Sequence, residues 1–280
     1  MNNIDIVIVG AGSAGCILAN KLINYTNYNI LLIEAGPKDN NPIIHIPLGY
    51  GMTFYNKNIN WNFYSEKQKN LFNREIYYPR GKVLGGSSSI NGMVYARGLK
   101  SDYDNWSISS ELSIENIFKS FNEIEQPINS DNLFLEPNKM PVNDVSDLHH
   151  PILKYFFDGC NEIGLDFNKN LNSEIEDQIG HYNITTYKGL RYSSSKVFLK
   201  PILNNKRLHL MTKARVNKLD IKENKVQMIE VYYKNKILKL RPNIGVILSA
   251  GAIMTPYILM HSGIGDEKNL SSMNKNIIIN

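Results

Sequence analysis

The sequence predicts an α/β protein: a parallel sheet with helices, an added antiparallel β-meander, and a second, partial domain. Three observations predict it. Short apolar runs at residues 4–9, 30–33 and 246–248 have the length and density of strands buried on both faces. A glycine-rich turn and an amphipathic helix join the first two runs. Residues 216–240 alternate apolar and polar around two turn signals, the mark of an antiparallel meander.

The first unit organises the rest. Ile4, Ile6, Val7, Ile8 and Val9 end at Gly10, Ala11, Gly12, Ser13, Ala14 and Gly15, the G-x-G-x-x-G arrangement. The first glycine permits the tight turn, the second lets backbone approach a pyrophosphate, and the third lets the helix pack closely on the strand. Cys16, Ile17, Leu18, Ala19, Leu22 and Ile23 supply that helix. Its N-terminus presents free N–H groups and the positive dipole end to a diphosphate. Residues 30–33 rebuild a strand. Glu34 at its end lies about twenty residues beyond the loop, where a carboxylate accepts hydrogen bonds from an adenosine ribose, with Ala35 beside it in the same site. A glycine pattern alone is also what an ordinary turn shows. Strand, helix, second strand and acidic residue in register point instead to a Rossmann-like FAD/NAD(P)-binding domain.

A chain of 280 residues suffices for one large domain or two smaller ones. Its 42% hydrophobic and 20% charged residues are those of a soluble globular protein. The net charge of +5 is modest and its lysines and arginines are scattered, which argues against a nucleic-acid partner. Cys16 and Cys160 make neither a disulfide framework nor a zinc site, and Cys16 reads as packing. The chain enters a strand within a few residues and contains no apolar run long enough to span a membrane. The expectation is therefore no signal peptide, no membrane association, and an intracellular setting by default.

Residues 37–60 are rich in Asn, Pro and Gly and read as an irregular surface excursion. Trp61, Phe63 and Tyr64 follow; packing beneath the excursion is favoured over covering a ring system. Residues 79–98, PRGKVLGGSSSINGMVYARG, put small side chains and free N–H groups in one loop, suited to lying against a flat ligand or a phosphate, with Arg80 and Lys82 adding positive charge. A flexible linker would not carry Val83, Leu84, Ile90, Met93 and Val94 among its polar residues. Together with DYDNW at 102–106, this stretch resembles the first signature of the glucose-methanol-choline (GMC) oxidoreductases, most like their choline dehydrogenase branch. These are flavoenzymes that oxidise alcohols with FAD. The resemblance implies that Arg80 to Val94, with Gly86 and Ser87, line flavin and pyrophosphate, with backbone contacts at Val83 and at Asn91, Gly92, Met93 and Val94. Some members carry a covalent flavin link on a histidine where this chain has Ile90, so the resemblance implies non-covalent FAD.

Further on, residues 111–126 read as a helix, 127–148 as a loop, and 151–163 as a helix stopped by Gly164. Residues 179–187 resemble the strand that opens the family's substrate-domain sheet, and 191–203 the helix that returns to the FAD domain. A strand at 208–211 precedes the meander, whose turns are expected at Glu223-Asn224 and Lys234-Asn235. By resemblance the backbone of Val216 meets the adenine. GAIMTPYILMHSGIG, 251–265, resembles the second GMC signature, with Ala250 and small residues letting a helix begin close to the cofactor. The implied organisation is an FAD-binding domain of residues 1–100 and 190–280 and a partial substrate domain of 101–189. A nicotinamide enzyme would fit the first motif alone; the two later ones argue for FAD.

The resemblance covers the whole chain but about the first half of such a protein, and Ile277, Ile278 and Ile279 lead into the last residue, Asn280. The expectation is a truncated N-terminal half. In the family a histidine near the C-terminus takes the hydroxyl proton while the hydride leaves for flavin. None of His45, His149, His150, His181, His209 and His261 stands in that motif. The reading is thus an FAD-holding oxidoreductase fold inactive by itself, a pseudoenzyme of marginal stability. Two alternatives stay open: an active alcohol dehydrogenase completed by a separate C-terminal polypeptide, and a non-enzymatic structural or binding protein. An open sheet edge and exposed apolar surface would invite such a companion or a second copy of the chain.

Overall fold

In the computed structural model, which describes residues 3–106, 110–129, 133–173, 177–273 and 277–279, the apolar runs form one parallel sheet. Its strand order is Leu208–Met211, Ile30–Ile33, Ile6–Val9, Gly245–Leu248. Ile6 to Val9 pair in unbroken register with Ile30 to Ile33 on one side and Gly245 to Leu248 on the other. All eight residues of the two central strands are buried, which is why their runs carry no alternation. Among the described residues, Gly245–Leu248 has a strand partner on one side only and is half-buried throughout. The chain divides into two compact units, residues 1–91 with 193–280, and residues 92–192.

In the first unit, helix Ser13–Tyr25 covers the sheet through Gly15, Cys16, Ala19 and Ile23. Asn20 on its buried side donates to the Phe198 carbonyl at 2.7 Å. Burial pushes the Cys16 thiol well above its usual range, and it donates to the Ala11 carbonyl at 3.2 Å, in keeping with the packing role read from sequence. The meander comprises Ala214–Lys222, Lys225–Tyr233 and Lys236–Leu240. Both turns fall where expected. Glu223, Asn224, Lys234 and Asn235 all have φ between +49° and +60°, the left-handed pairs that match the twist of a two-residue hairpin. Val216, Leu219, Ile229 and Val231 pack with Ile258 of helix Gly251–His261.

Two expectations for this unit are corrected. The excursion at 37–60 contains helical turns at Pro42–His45 and Tyr50–Thr53, the first capped by the Asn41 side chain on the Ile43 N–H. The expected return helix at 191–203 is a π-type segment, Ser195–Leu199, followed by a 3-10 turn, Lys200–Ile202; Pro201 has no N–H to continue a regular helix.

The second unit holds a sheet of order Val94–Tyr95, Asn183–Ile184, Met140–Asn143, Glu125–Ile128. Helix Ile114–Ile124 starts at Ser113, whose hydroxyl accepts the Asn116 N–H. Helix Leu153–Glu162 stops before Gly164 at φ +87°. Residues 127–148, expected to be a loop, instead contribute to two strands, Glu125–Ile128 and Met140–Asn143, paired in parallel. Arg97 joins the layers: it pairs with the half-buried Glu125 carboxylate and lies over the rings of Phe118 and Phe121. Among the described residues no helix is long and apolar enough to cross a membrane.

Candidate functional site

Loops at the carboxyl ends of the parallel strands surround a cavity of about 440 Å³, the place where such sheets take ligands. Its walls bring together Gly10, Gly12, Ser13 and Ala14 from the first loop, Glu34 and Ala35 from the second strand's end, and Arg80, Gly86 and Ser87 from the serine-rich loop. Val216 and Ala250 complete the set of sequence-selected residues that line it.

The floor is backbone. Gly86 has φ +55°, and a β-carbon there would lie 2.7 Å from the Gly12 α-carbon, so the two glycine loops meet with nothing but main chain between them. The serines wire their loop to itself. Ser87 Oγ accepts the Gly81 N–H at 3.1 Å. Ser88 Oγ donates to the Gly85 carbonyl at 2.6 Å and accepts the Ser194 N–H at 2.9 Å. Ser89 is fully buried and donates to the Leu84 carbonyl at 2.7 Å.

The remaining selected residues sit elsewhere. Gly15 lies beneath the loop, against the Gly10 carbonyl. The Val83 side chain is fully buried in a satellite core with Ile44, Ile59 and Ile90. Asn91 is exposed, its N–H donating to the Ser87 carbonyl at 2.9 Å. Gly92, Met93 and Val94 belong to the second unit, where Val94 pairs with Ile184.

Sequence reasoning weighed part of the wall but favoured a packing role for it. Trp61 and Phe63 are half-buried and line the cavity, their rings stacked at 5.5 Å and 9°, so packing beneath the excursion is not their whole role. They are carried there by antiparallel pairing of 59–61 with 80–82. Trp61 N–H donates to the Arg80 carbonyl at 2.9 Å and Lys82 N–H to that of Ile59 at 2.8 Å. The buried Asn60 amide fixes the crossing: its oxygen accepts the N–H groups of Arg80 and Asn62, and its nitrogen donates to the Phe54 carbonyl. Ser249 was missed; its hydroxyl lies 3.3 Å from the carbonyls of both Val9 and Gly10. A small polar residue ending the 246–248 strand was the available signal.

Glu34 is the electrostatic centre. Its two oxygens accept the Ala11 N–H at 3.0 Å and the Gly36 N–H at 2.8 Å, so it clamps the first loop as well as facing the cavity. Burial pushes its carboxyl up from its ordinary 4.5 to about 7, against the opposing pull of the Gly36 and Ala11 N–H groups. A carboxyl with a raised folded pKa contributes stability that is full below 4.5 and is lost as pH rises through about 7. The ligand-free chain is therefore expected to lose up to about 3 kcal/mol across that window. Denaturant midpoints of the wild type and of Glu34→Gln between these limits check this. A slope unchanged by the substitution would refute it.

No histidine lines the cavity, and no group of three His, Cys, Asp or Glu side chains is placed to hold a metal ion, among the described residues.

A Pseudomonas putida "alcohol dehydrogenase [acceptor]" is 38% identical over 267 residues, covering 93% of this chain and 48% of its own. An "oxygen-dependent choline dehydrogenase" of Rhizobium etli is 31% identical over 271 residues, covering 96% and 49%. The crystal structure of pyridoxine 4-oxidase from Mesorbium loti superposes with a TM-score of 0.91 at 28% identity, covering 99% of this chain and 55% of that one. The chain thus spans about half the length of the curated relatives it matches. A profile of the GMC oxidoreductases matches residues 4–278, the full run that carries the glycine loop, the serine-rich loop and the cavity, and the chain belongs to the GMC oxidoreductase family.

Proposed function

We propose that this chain holds FAD non-covalently in the cavity between its two glycine loops, as the nucleotide-binding part of an oxidoreductase acting on the CH–OH group of an alcohol. The observation that carries the reading is the main-chain floor where Gly12 and Gly86 meet, beside a buried carboxylate. A cofactor with a pyrophosphate needs N–H groups unobstructed by β-carbons, and one with a ribose needs an acceptor at the second strand's end. The loop from Gly10 to Gly15 would hold the pyrophosphate and Glu34 the ribose hydroxyls. Each Glu34 oxygen already accepts one N–H and keeps a further lone pair for a hydroxyl. Arg80, exposed at the cavity and donating to the Pro79 carbonyl, adds positive charge for a phosphate. Trp61 and Phe63 present ring faces to the same space. FAD, when bound, supplies the acceptor for the hydride leaving the alcohol carbon.

Ile90 supports the non-covalent mode. Its side chain lies in the satellite core and offers no atom for a flavin link. Among the described residues the cavity offers no histidine to take the hydroxyl proton, so turnover is assigned to residues outside these 280, in the remainder of a family-length protein or on a companion polypeptide. Losing a general base alone lowers rate by about 10² to 10⁴.

After incubation with FAD and gel filtration, the chain is expected to carry flavin absorption in equimolar amount and to reduce no dye when offered a panel of alcohols. A colourless protein would refute the cofactor reading. Dye reduction by the chain alone would refute the assignment of the base.

A further inference from the structure

Asn60 is 1% exposed, and every hydrogen-bonding capacity of its amide is used. The oxygen accepts two N–H groups, from Arg80 and from Asn62, both at 3.0 Å. The nitrogen gives one hydrogen to the Phe54 carbonyl at 2.7 Å and the other to the Tyr77 hydroxyl at 3.1 Å. That hydroxyl is itself set between the Asn62 amide oxygen, at 2.6 Å, and the Phe54 carbonyl. Two acceptor bonds and two donor bonds on one short side chain call for an amide: a carboxylate lacks the donors, a hydroxyl has only one, and an apolar isostere has neither.

Asn60 does not line the cofactor cavity, but its neighbours Trp61, Phe63, Arg80 and Gly81 do. Its oxygen on the N–H two residues ahead closes an Asx turn, which holds Asn62 at φ +52°, in the left-handed region that asparagine tolerates. Across that turn the Trp61 and Phe63 rings come face to face at 5.5 Å and 9°. The same oxygen ties the turn to the second segment through the Arg80 N–H, where Asn60 stands opposite Gly81. The main-chain ladder at this crossing, Trp61 N–H on the Arg80 carbonyl and Lys82 N–H on that of Ile59, is too short to be stable by itself. One buried amide therefore sets both segments of the wall.

We propose that Asn60 is a positioning residue for FAD, its amide placing Trp61 and Arg80 in the cavity wall; the inference rests on the function proposed above. Without the amide the ladder loses its centre, and the indole and the guanidinium are no longer held at the cofactor. The Phe54 carbonyl and the Tyr77 hydroxyl, which face the amide nitrogen, make the requirement one for an amide rather than for an oxygen. Burial pushes the Tyr77 hydroxyl above its usual range, so it does not titrate near neutrality.

Asn60→Asp separates positioning from bulk. Its ionised carboxylate can take the Arg80 and Asn62 N–H groups but meets the Phe54 carbonyl without a hydrogen; the protonated acid both accepts and donates again. FAD titrations are read by quenching of Trp61 in a Trp106→Phe background, which leaves it as the reporting tryptophan, and each variant is compared with that background at the same pH. Asn60→Asp is expected to bind about tenfold more weakly at pH about 8 and to recover to within about twofold at pH about 5.5, because burial favours the neutral acid. Asn60→Leu, which cannot titrate, is expected to stay about tenfold weaker at both. Tyr77→Phe, which removes one of the four partners and keeps the ring, is expected to bind about threefold more weakly without recovery. In a background chain that takes up FAD, unchanged binding by the Asn60 variants, or an Asn60→Asp loss that does not recover, overturns the positioning role alone; should neither fold, unchanged binding by Tyr77→Phe does so. A background chain that takes up no FAD overturns the cofactor reading and this inference with it.

Discussion

Gly15→Ala is expected to lower stability by about 3 kcal/mol or more and to abolish FAD uptake. A β-carbon at Gly15 would stand 1.9 Å from the Gly10 carbonyl oxygen, 3.0 Å from its carbon and 3.1 Å from Ser249 Oγ. None of these neighbours can retreat. Gly10 is held by its N–H on the Ile33 carbonyl at 2.8 Å, and Ser249 by its N–H on the Val9 carbonyl at 2.8 Å. The helix is held from the other side by the Asn20 amide on Phe198. Relief therefore requires the helix to lift from the strand, which moves the Gly10–Ala14 main chain off the cavity. Gly159→Ala is the control. Gly159 lies within helix Leu153–Glu162 with nothing inside 4 Å of its added carbon, and alanine there is expected to gain up to about 1 kcal/mol. Denaturant titrations of both variants against wild type check the pair. A Gly15→Ala chain that melts with the wild type and binds FAD would show that the close helix–strand packing is not what the third glycine serves.

The parts of the fold legible in the sequence are those where one local rule decides. Ile6 to Val9 and Ile30 to Ile33 are paired along both edges and buried on both faces of the sheet, so a continuous apolar run suffices to place them. Glu223-Asn224 and Lys234-Asn235 are recognisable because the alternation on each side fixes where the chain must reverse. The strands Glu125–Ile128 and Met140–Asn143 were illegible for the opposite reason. Each contains a proline, which reads locally as loop. Among the described residues Pro127 stands on the sheet's outer strand, and Pro141 is paired with Gln126 while the strand's contact with Asn183–Ile184 falls at Asn143.

The candidate site divides the same way. Its glycines and Glu34 are local in sequence and carry their reasons with them. Trp61 and Phe63 reach the cavity only because residues 59–61 pair with 80–82 about the Asn60 amide, a contact that no spacing within either segment encodes. The serines were legible as a loop but not as its internal wiring, because Ser88 meets Ser194 more than a hundred residues away in sequence.

Glu34→Ala is expected to weaken FAD and ADP binding by the same factor, about a hundredfold or more, and to lower stability by about 3 kcal/mol. Two losses combine. The N–H groups of Ala11 and Gly36, now on the Glu34 oxygens, would be left buried without acceptors, each costing about 1–3 kcal/mol. The ribose hydroxyls would lose a charged acceptor, worth about 1.5–3 kcal/mol per bond. Glu34→Gln should fall between: its single carbonyl oxygen satisfies one of the two N–H groups, while its NH₂ confronts the other, donor against donor. Because ADP shares the ribose and pyrophosphate but lacks the flavin, equal losses for ADP and FAD place Glu34 at the adenosine end. Calorimetric titration of wild type and both variants with each nucleotide reads this out. Loss of FAD affinity with ADP binding intact would instead put Glu34 beneath the flavin, and unchanged binding of both would reduce it to a clamp on the glycine loop.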